Sequence, residues 1–136
     1  MSTAYNDDYW PPFPVLEISL AVRDESPIIA PLHALIDTGA DGTFVPVKYI
    51  KLLNIPVSGQ MVVHPHFGTP QLAHTHTLDI LVASYRFSAI EVVGDSHSKE
   101  IIVGRNLLNK LVLLLDGPQT LTDVWDTRPM IRLPRT

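Results

Sequence analysis

The stretch Leu35-Ile36-Asp37-Thr38-Gly39-Ala40-Asp41 decides the fold, because an apolar run ends there abruptly in a carboxylate, a hydroxyl and a glycine. Asp and Thr side chains hydrogen-bond to nearby backbone, and glycine reaches φ values that other residues avoid, so Asp37-Thr38-Gly39 predicts a tight, side-chain-braced turn. The apolar run is expected to carry Asp37 into the interior. A buried carboxylate is costly unless it is hydrogen-bonded, paired or used in chemistry, so Asp37 is the first candidate functional residue.

Length and composition limit the class of protein. The chain has 136 residues, 46% of them hydrophobic, which suits one domain with a core of its own. The 14 acidic residues outnumber the 10 basic ones and no long basic run is present, so we expect no nucleic-acid partner. The absence of cysteine excludes disulfides, thiolate catalysis and cysteine metal sites. Neither a secretion signal nor an apolar run of about 20 residues is visible, so we expect a cytoplasmic protein without a membrane partner.

Short strands separated by turn residues are predicted along most of the chain. Apolar and polar residues alternate from Leu16 to Val22, and the run from Ile28 to Ile36 leads into the Asp37 turn, so the two predict a hairpin. Val47 to Ile55 and Leu107 to Leu111 carry short helical patterns. Further β-rich segments bounded by turn residues are 43–45, 57–67, 72–82, 85–93, 101–103, 112–115 and 121–125. The coarse prediction is a mostly-β domain with one or two short helices.

The two ends of the chain differ in composition from the middle. Residues 1–14 carry three prolines, which disfavour helix and paired central strand, so we expect an extended N-terminal arm. Residues 127–136 carry three arginines and two prolines and are expected to form a C-terminal tail. The folded domain is therefore expected to span residues 15–126.

A second motif follows the first by about 60 residues. Ile101-Ile102-Val103-Gly104-Arg105-Asn106-Leu107-Leu108 is an apolar strand that runs into a glycine turn, and a predicted hairpin lies between the two motifs. In order and spacing, this pair of motifs resembles the retroviral-type aspartic proteases, the retropepsins, and their bacterial single-domain relatives. The resemblance covers roughly Val15 to Trp125. It implies a closed β-barrel-like acid-protease fold with one catalytic Asp per chain, Asp37, and a flap hairpin over the cleft.

The chemistry of this class requires a second carboxylate. Peptide hydrolysis without a metal or a covalent intermediate needs one carboxylate to take a proton from water and a second, protonated one to polarise the scissile carbonyl. Two carboxylates about 3 Å apart share one proton, as aspartic proteases are known to do. The sequence has no second Asp-Thr-Gly or Asp-Ser-Gly, so the partner is expected to be Asp37 of another copy. We therefore expect a homodimeric endopeptidase that acts on peptides or proteins and needs no cofactor.

The resemblance also implies roles for the neighbours of Asp37. In similar enzymes the residue matching Thr38 bonds across the dimer axis, and the one matching Gly39 lets backbone amides approach the carboxylates. Asp41 and Arg105 match a pair that ties the catalytic loop to the short helix and the dimer interface. Ala40 has no hydroxyl to donate to the carboxylate, so we expect activity nearer neutral pH than in pepsin. The active-site scaffold is thus Thr38, Gly39 and Ala40, and the supporting ion pair and dimer corner are Asp41, Arg105 and Asn106.

The flap departs from the family pattern. Retropepsins carry several glycines at the flap tip, whereas His64 to Leu72 contains one glycine and two prolines, which predicts a stiffer flap. The expected flap and substrate-binding residues are His66, Phe67, Gly68 and Thr69. If the hairpin centres on Pro70, imidazoles group in a way that could bind Zn²⁺ or sense pH, although their spacing matches no known metal motif. That grouping pairs His64 with His76 and His66 with His74.

Two other functions stay open from the sequence. One is a catalytically silent module that uses the same fold for dimerisation or peptide binding. The other is a histidine-rich hairpin that binds a metal or senses pH. The three functions share one fold, so the fold alone cannot separate them.

Overall fold

The computed structural model describes residues 1–27, 29, 31–65 and 68–125. The predicted tail, 127–136, lies outside these residues. In this described part, neither helix is long or apolar enough to cross a membrane. The prediction of a mostly-β chain with one or two short helices is confirmed, and the described residues contain two. The elements are β1 Ser2–Ala4, β2 Val15–Ala21, β3 Leu32–Ile36, β4 Thr43–Pro46, α1 Val47–Leu52, β5 Val57–Val63, β6 Gln71–Val82, β7 Tyr85–Asp95, β8 Ile101–Val103, α2 Arg105–Leu108, β9 Val112–Asp116 and β10 Leu121–Trp125.

Six strands close into a barrel. Hydrogen-bonded neighbours follow the order β2-β3-β8-β4-β7-β6, and β6 pairs again with β2 to complete the ring. The β2–β3 hairpin is antiparallel, with Val15 opposite Leu35, whereas β3 with β8 and β4 with β7 are parallel pairs. Strand β5 pairs with β6 outside the ring and forms the second arm of a long hairpin. The closed-barrel prediction is confirmed, and closure leaves the six strands without free edges.

Alternate residues of the barrel strands form the core. In β2 and β6 every second side chain points inward, as the period of two along a strand requires. Burying one such Leu or Ile side chain stabilises the fold by about 1.5–3 kcal/mol. Ile50 of α1 and Leu107 of α2 are also buried and join the same core cluster, so both short helices are held by apolar contacts. The fully buried residues of the two strands include Leu16, Ile18, Leu20, Leu78, Ile80 and Val82.

A second, three-stranded sheet joins the two ends of the described chain. Strand β1 pairs with β10, which pairs with β9. Thr3 of β1 lies opposite Thr122 of β10, and both side chains are buried. The segment expected to be an extended arm therefore contains a paired strand at its start. The three prolines of this segment begin only at Pro11, so they leave the amides of Ser2–Ala4 free to pair.

A buried carboxylate anchors one end of the barrel. Asp79 of β6 is completely buried and accepts hydrogen bonds from the backbone amides of Asp24 (3.0 Å) and Ala89 (2.9 Å) and from Arg86 Nε (2.8 Å). Arg23 Nε lies 3.6 Å from Asp79 Oδ1. Burial by itself raises the pKa of Asp79, but these hydrogen bonds outweigh burial and hold the pKa below its ordinary value. Asp79 therefore stays charged in the interior because its donors replace water.

Candidate active site

Asp37 directly follows β3 and begins a tight turn. Its amide donates to Val103 O (3.0 Å), which extends the parallel β3–β8 ladder by one residue. The Ala40 amide donates to Asp37 O (3.2 Å) and closes the turn over Thr38-Gly39. Leu35-Ile36 is buried, but Asp37 is half-buried and both residues of Thr38-Gly39 are exposed. The expectation of an interior Asp37 is wrong for the single chain, because the strand ends at Ile36 and the turn lies on the barrel's outer surface.

The Asp37 carboxylate is held by the backbone of its own turn. Gly39 N donates to Asp37 Oδ1 over 2.9 Å, a charge-assisted hydrogen bond. A Cβ placed on Gly39 would lie 3.2 Å from the same oxygen, so the absence of a side chain lets the amide approach this closely. Within the described part of the chain, no other donor reaches this carboxylate. The turn thus orients Asp37 and leaves its second oxygen open.

Arg105, at the start of α2, braces the turn from the neighbouring motif. Its Nη1 donates to Thr38 O (3.3 Å), its Nη2 contacts the Asp41 carboxylate, and its backbone amide donates to Ala40 O (2.9 Å). Asn106 N adds a bond to Asp41 O (3.1 Å). The Arg105 and Asp41 side chains are 48% and 89% exposed, so their ion pair contributes at most about 1 kcal/mol to stability. The brace therefore acts mainly by fixing the shape of the turn.

Thr43 and Gly104 belong to this corner but were not among the predicted site residues. Thr43 is fully buried; its hydroxyl donates to Asn106 Oδ1 (2.7 Å) and accepts from Gly104 N (3.3 Å). Asn106 Nδ2 in turn donates to Glu91 O (2.9 Å). A Cβ on Gly104 would lie 2.0 Å from Gly42 O, so the two motifs touch backbone to backbone. A hydroxyl at the start of a buried strand was the available signal for Thr43, because buried hydroxyls need partners.

The predicted flap corresponds to the β5–β6 hairpin. Val63 pairs with Gln71, so residues 64–70 connect the two strands. Gly68, in this connection, is exposed with φ of +109°, a conformation that glycine adopts without a steric penalty. Of the four predicted flap residues, Gly68 and Thr69 are described by the structure, and His66 and Phe67 lie outside the described residues.

The histidine grouping expected from a hairpin centred on Pro70 is wrong. In the structure, His76 lies opposite Val57 and His74 opposite Gln60. Val63 pairs with Gln71, the first residue of β6, so the two arms of the hairpin do not turn about Pro70. In the described ranges, no three side chains of His, Cys, Asp or Glu come together in a way that could hold a metal ion. The pairs that the grouping required were His64 with His76 and His66 with His74.

Comparison with known proteins supports the architecture. No protein-family model matches the sequence, and no curated protein matches it. Among solved structures, the chain is similar to a retropepsin-like aspartic protease from Rickettsia conorii, with a TM-score of 0.64 and 15% identity over 91% of this chain and 88% of that chain. At this identity the similarity shows the fold alone. The expected retropepsin-like barrel is thereby confirmed as a fold.

Proposed function

We propose that the protein is a homodimeric aspartic endopeptidase with one Asp37 from each chain at its active site. The observation that carries the proposal is the turn itself: Gly39 holds the Asp37 carboxylate at the protein surface, and Arg105 of the second motif braces the same turn. The similarity of the fold to an aspartic protease supports it. Residues 15–126 would form the catalytic domain, and no cofactor is needed.

The need for a second chain follows from the chemistry. Because the sequence has no second Asp-Thr-Gly or Asp-Ser-Gly, one chain supplies only half of an acid–base pair. The exposed position of Thr38 and Gly39 allows a second turn to approach across a two-fold axis. In the dimer Thr38 would bond across that axis, and the two Asp37 side chains would share one proton.

Each step of hydrolysis then has a group to perform it. The ionised carboxylate takes a proton from a water molecule as the water oxygen attacks the scissile carbonyl carbon. The protonated carboxyl group gives its proton to the carbonyl oxygen. The resulting gem-diol collapses as the newly protonated carboxyl group gives its proton to the amide nitrogen, the other carboxylate takes a proton from a diol hydroxyl, and the C–N bond breaks to give a carboxylic acid and an amine. The β5–β6 hairpin covers the substrate and offers backbone hydrogen bonds to an extended peptide. At the end of the cycle the two carboxyl groups again hold one proton between them, so the pair is ready for the next substrate.

The proposal is tested by cleavage of a diverse peptide mixture. The conservative variant Asp37→Asn should lose activity by about a thousandfold or more while keeping its fold, because the amide can neither accept the water proton nor share one. Asp24→Asn is the matched control: Asp24 is exposed with φ of +62°, which Asn tolerates, and it should cleave like the wild type. Cleavage that survives Asp37→Asn would refute the mechanism.

Mixing experiments test the dimer. When equal amounts of wild-type and Asp37→Asn chains exchange, only about a quarter of the dimers retain two carboxylates, so activity per wild-type chain should fall by about half. Molecular mass in solution should be that of two chains. Activity from a strict monomer would contradict the proposal, and a dimer that binds peptides without cleaving them would make the protein a binding module.

The pH profile gives a further test. Ala40 donates no side-chain hydrogen bond to the dyad, so the optimum should lie nearer neutrality than in pepsin, whose dyad titrates well below neutral pH. An optimum near about pH 2 would contradict this expectation.

A further inference from the structure

A cavity of about 600 Å³ lies between the β5–β6 hairpin, α1 and the end of β7. Its size is within the range of about 300–1,000 Å³ that is common for small-molecule and side-chain sites. Part of its wall is apolar, formed by Phe44, Val47, Ile55 and Val63. The cavity is separate from the Asp37 turn and takes no part in the chemistry proposed above.

The cavity is within reach of a peptide bound at Asp37. Phe44, in its wall, pairs with Ile102 of β8, and β8 is the neighbour of β3, which ends just before Asp37. Two strand spacings separate β4 from β3, a distance of about 10 Å. An extended peptide advances by about 3.3 Å per residue. A side chain two to four residues from the scissile bond therefore reaches the cavity.

Four of the five ionisable side chains in the described lining of the cavity are basic in type. Lys51 comes from α1, His74 and His76 from β6, Asp95 from the end of β7, and His97 from the loop that follows it. Within residues 1–27, 29, 31–65 and 68–125, Lys51 forms no ion pair. Asp95 is the acidic residue of the described lining, and its Oδ1 already accepts bonds from the amides of His97 (2.9 Å) and Ser98 (3.1 Å).

His76 is built into the wall of the cavity. The residue is only 6% exposed, and its Nδ1 lies 3.1 Å from Pro56 O. A carbonyl oxygen only accepts hydrogen bonds, so Nδ1 is the nitrogen that donates to Pro56 O. A Cβ on Gly94 would lie 3.1 Å from His76 Nε2, and Gly94 itself lines the cavity. The ring edge of His76 therefore packs closely against the Gly94 backbone, and a side chain at position 94 would press on it.

We propose that this cavity binds an acidic side chain of the substrate, two to four residues from the scissile bond. The Lys51 ammonium donates to the carboxylate, the imidazole rings of His76 and His97 lie beside it, and the apolar wall contacts its methylene groups. The inference rests on the proposed endopeptidase function and names its substrate class.

Matched peptides test the preference. A peptide cleaved by the wild type is prepared with Glu or Gln at each position from two to four residues on either side of the scissile bond. At the best position, kcat/KM should favour Glu roughly tenfold, the worth of one charge-assisted contact. Lys51→Gln should reduce the ratio several-fold. Lys48→Gln, on the same helix but outside the cavity lining, should leave it unchanged. An equal ratio in Lys51→Gln and the wild type overturns the inference.

A binding measurement decides the inference separately from catalysis. Full-length Asp37→Asn protein is titrated with capped Ala-Glu-Ala and capped Ala-Gln-Ala while the imidazole resonances are followed by NMR. The Glu peptide should shift the ring resonances of His76 and His97, which line the cavity, and the Gln peptide should not. Failure of wild type to cleave any peptide, with the Glu shift present, would remove the proposed function and keep the acid-binding cavity. If the wild type cleaves peptides but shows neither a Glu preference nor a ring shift, the cavity assignment fails and the proposed function stands.

Discussion

Asp37 and Asp79 are two carboxylates of one barrel in opposite surroundings. Asp79 is completely buried within β6 and is bound by two backbone amides and an arginine. Asp37 lies half-buried just past β3 and, within the described chain, accepts one hydrogen bond from its own turn. A carboxylate that stabilises a fold needs all its lone pairs occupied, whereas one that handles a proton needs an oxygen left open. The difference separates a structural acid from a candidate catalytic one.

The backbone amides that bind the two carboxylates also differ in conformation. The Asp24 and Ala89 amides that bind Asp79 belong to residues with φ of +62° and +56°, a conformation that L residues rarely adopt. Such strain persists where surrounding contacts compensate for it. At Asp37, the close contact is made by Gly39, which has no side chain to obstruct its amide. The structural carboxylate thus binds amides at two strained positions, one in the turn after β2 and one within β7, whereas the candidate catalytic carboxylate is bound by a glycine amide of its own turn.

The largest expected effect is a double dissociation between the two carboxylates. Asp79→Ala should lower the free energy of unfolding by about 3–5 kcal/mol, because it empties a fully buried site and takes the acceptor from three donors, two backbone amides and Arg86 Nε. Asp37→Ala should change it by less than about 1 kcal/mol while abolishing cleavage. Urea denaturation and peptide cleavage of the same two preparations measure both quantities. Equal destabilisation by the two substitutions would break the contrast.

Gly104→Ala should have the next largest effect, because its Cβ meets backbone of the Asp37 corner. The new Cβ would lie 2.0 Å from Gly42 O, so one of the two motifs must shift, at a loss of about 2–3 kcal/mol in unfolding free energy. Gly117→Ala is the matched control, since nothing lies within 4 Å of its added Cβ. Thermal melts compare the two variants. A Gly104→Ala protein as stable as the control would show that the motifs are not in contact.

Acid should act on Asp79 with a defined sign. The folded-state pKa of Asp79 lies below its unfolded-state value, so its contribution to stability is complete above the unfolded pKa and is lost as the pH falls through the folded one. The wild type should therefore lose stability more steeply below about pH 4 than Asp79→Asn, which cannot titrate at that position. Urea midpoints measured across that range test this. Identical slopes in the two proteins would contradict it.

The smallest expected effect on stability is that of the exposed ion pair. Asp41→Asn removes a charge from a pair whose side chains are largely exposed, so unfolding free energy should change by at most about 1 kcal/mol. The loss in kcat/KM, expressed as a free energy, should exceed the loss in unfolding free energy. The reason is that Arg105 loses its contact with the Asp41 carboxylate and keeps only its hydrogen bond to Thr38 O to position the turn. Asp24→Asn again controls for the loss of one charge. Unchanged kcat/KM in Asp41→Asn would limit the brace to a structural role.

Much of the fold follows from local patterns. Three patterns each depend on a few neighbouring side chains: the alternation in β2, the helical spacing in α1 and the turn residues between strands. Each can therefore be predicted from a short stretch of sequence. The turn at Asp37-Thr38-Gly39 is predictable for the same reason. The register of the β5–β6 hairpin was not predictable. Gln71 directly follows the turn residues Gly68-Thr69-Pro70 in the sequence, yet it pairs with Val63 in the strand ladder.

The sequence by itself determined the strands, the tight turn and the missing second Asp-Thr-Gly, because propensity and composition are local properties. The tertiary structure alone decided the barrel's closing pairs, the surface position of Asp37, and the partners of Asp79 and Thr43. Asp79 reads in the sequence as one polar residue of a strand, and its donor Asp24 lies 55 residues away. Hydrogen bonds between such distant residues depend on how the closed barrel brings loops together, and no local pattern records that.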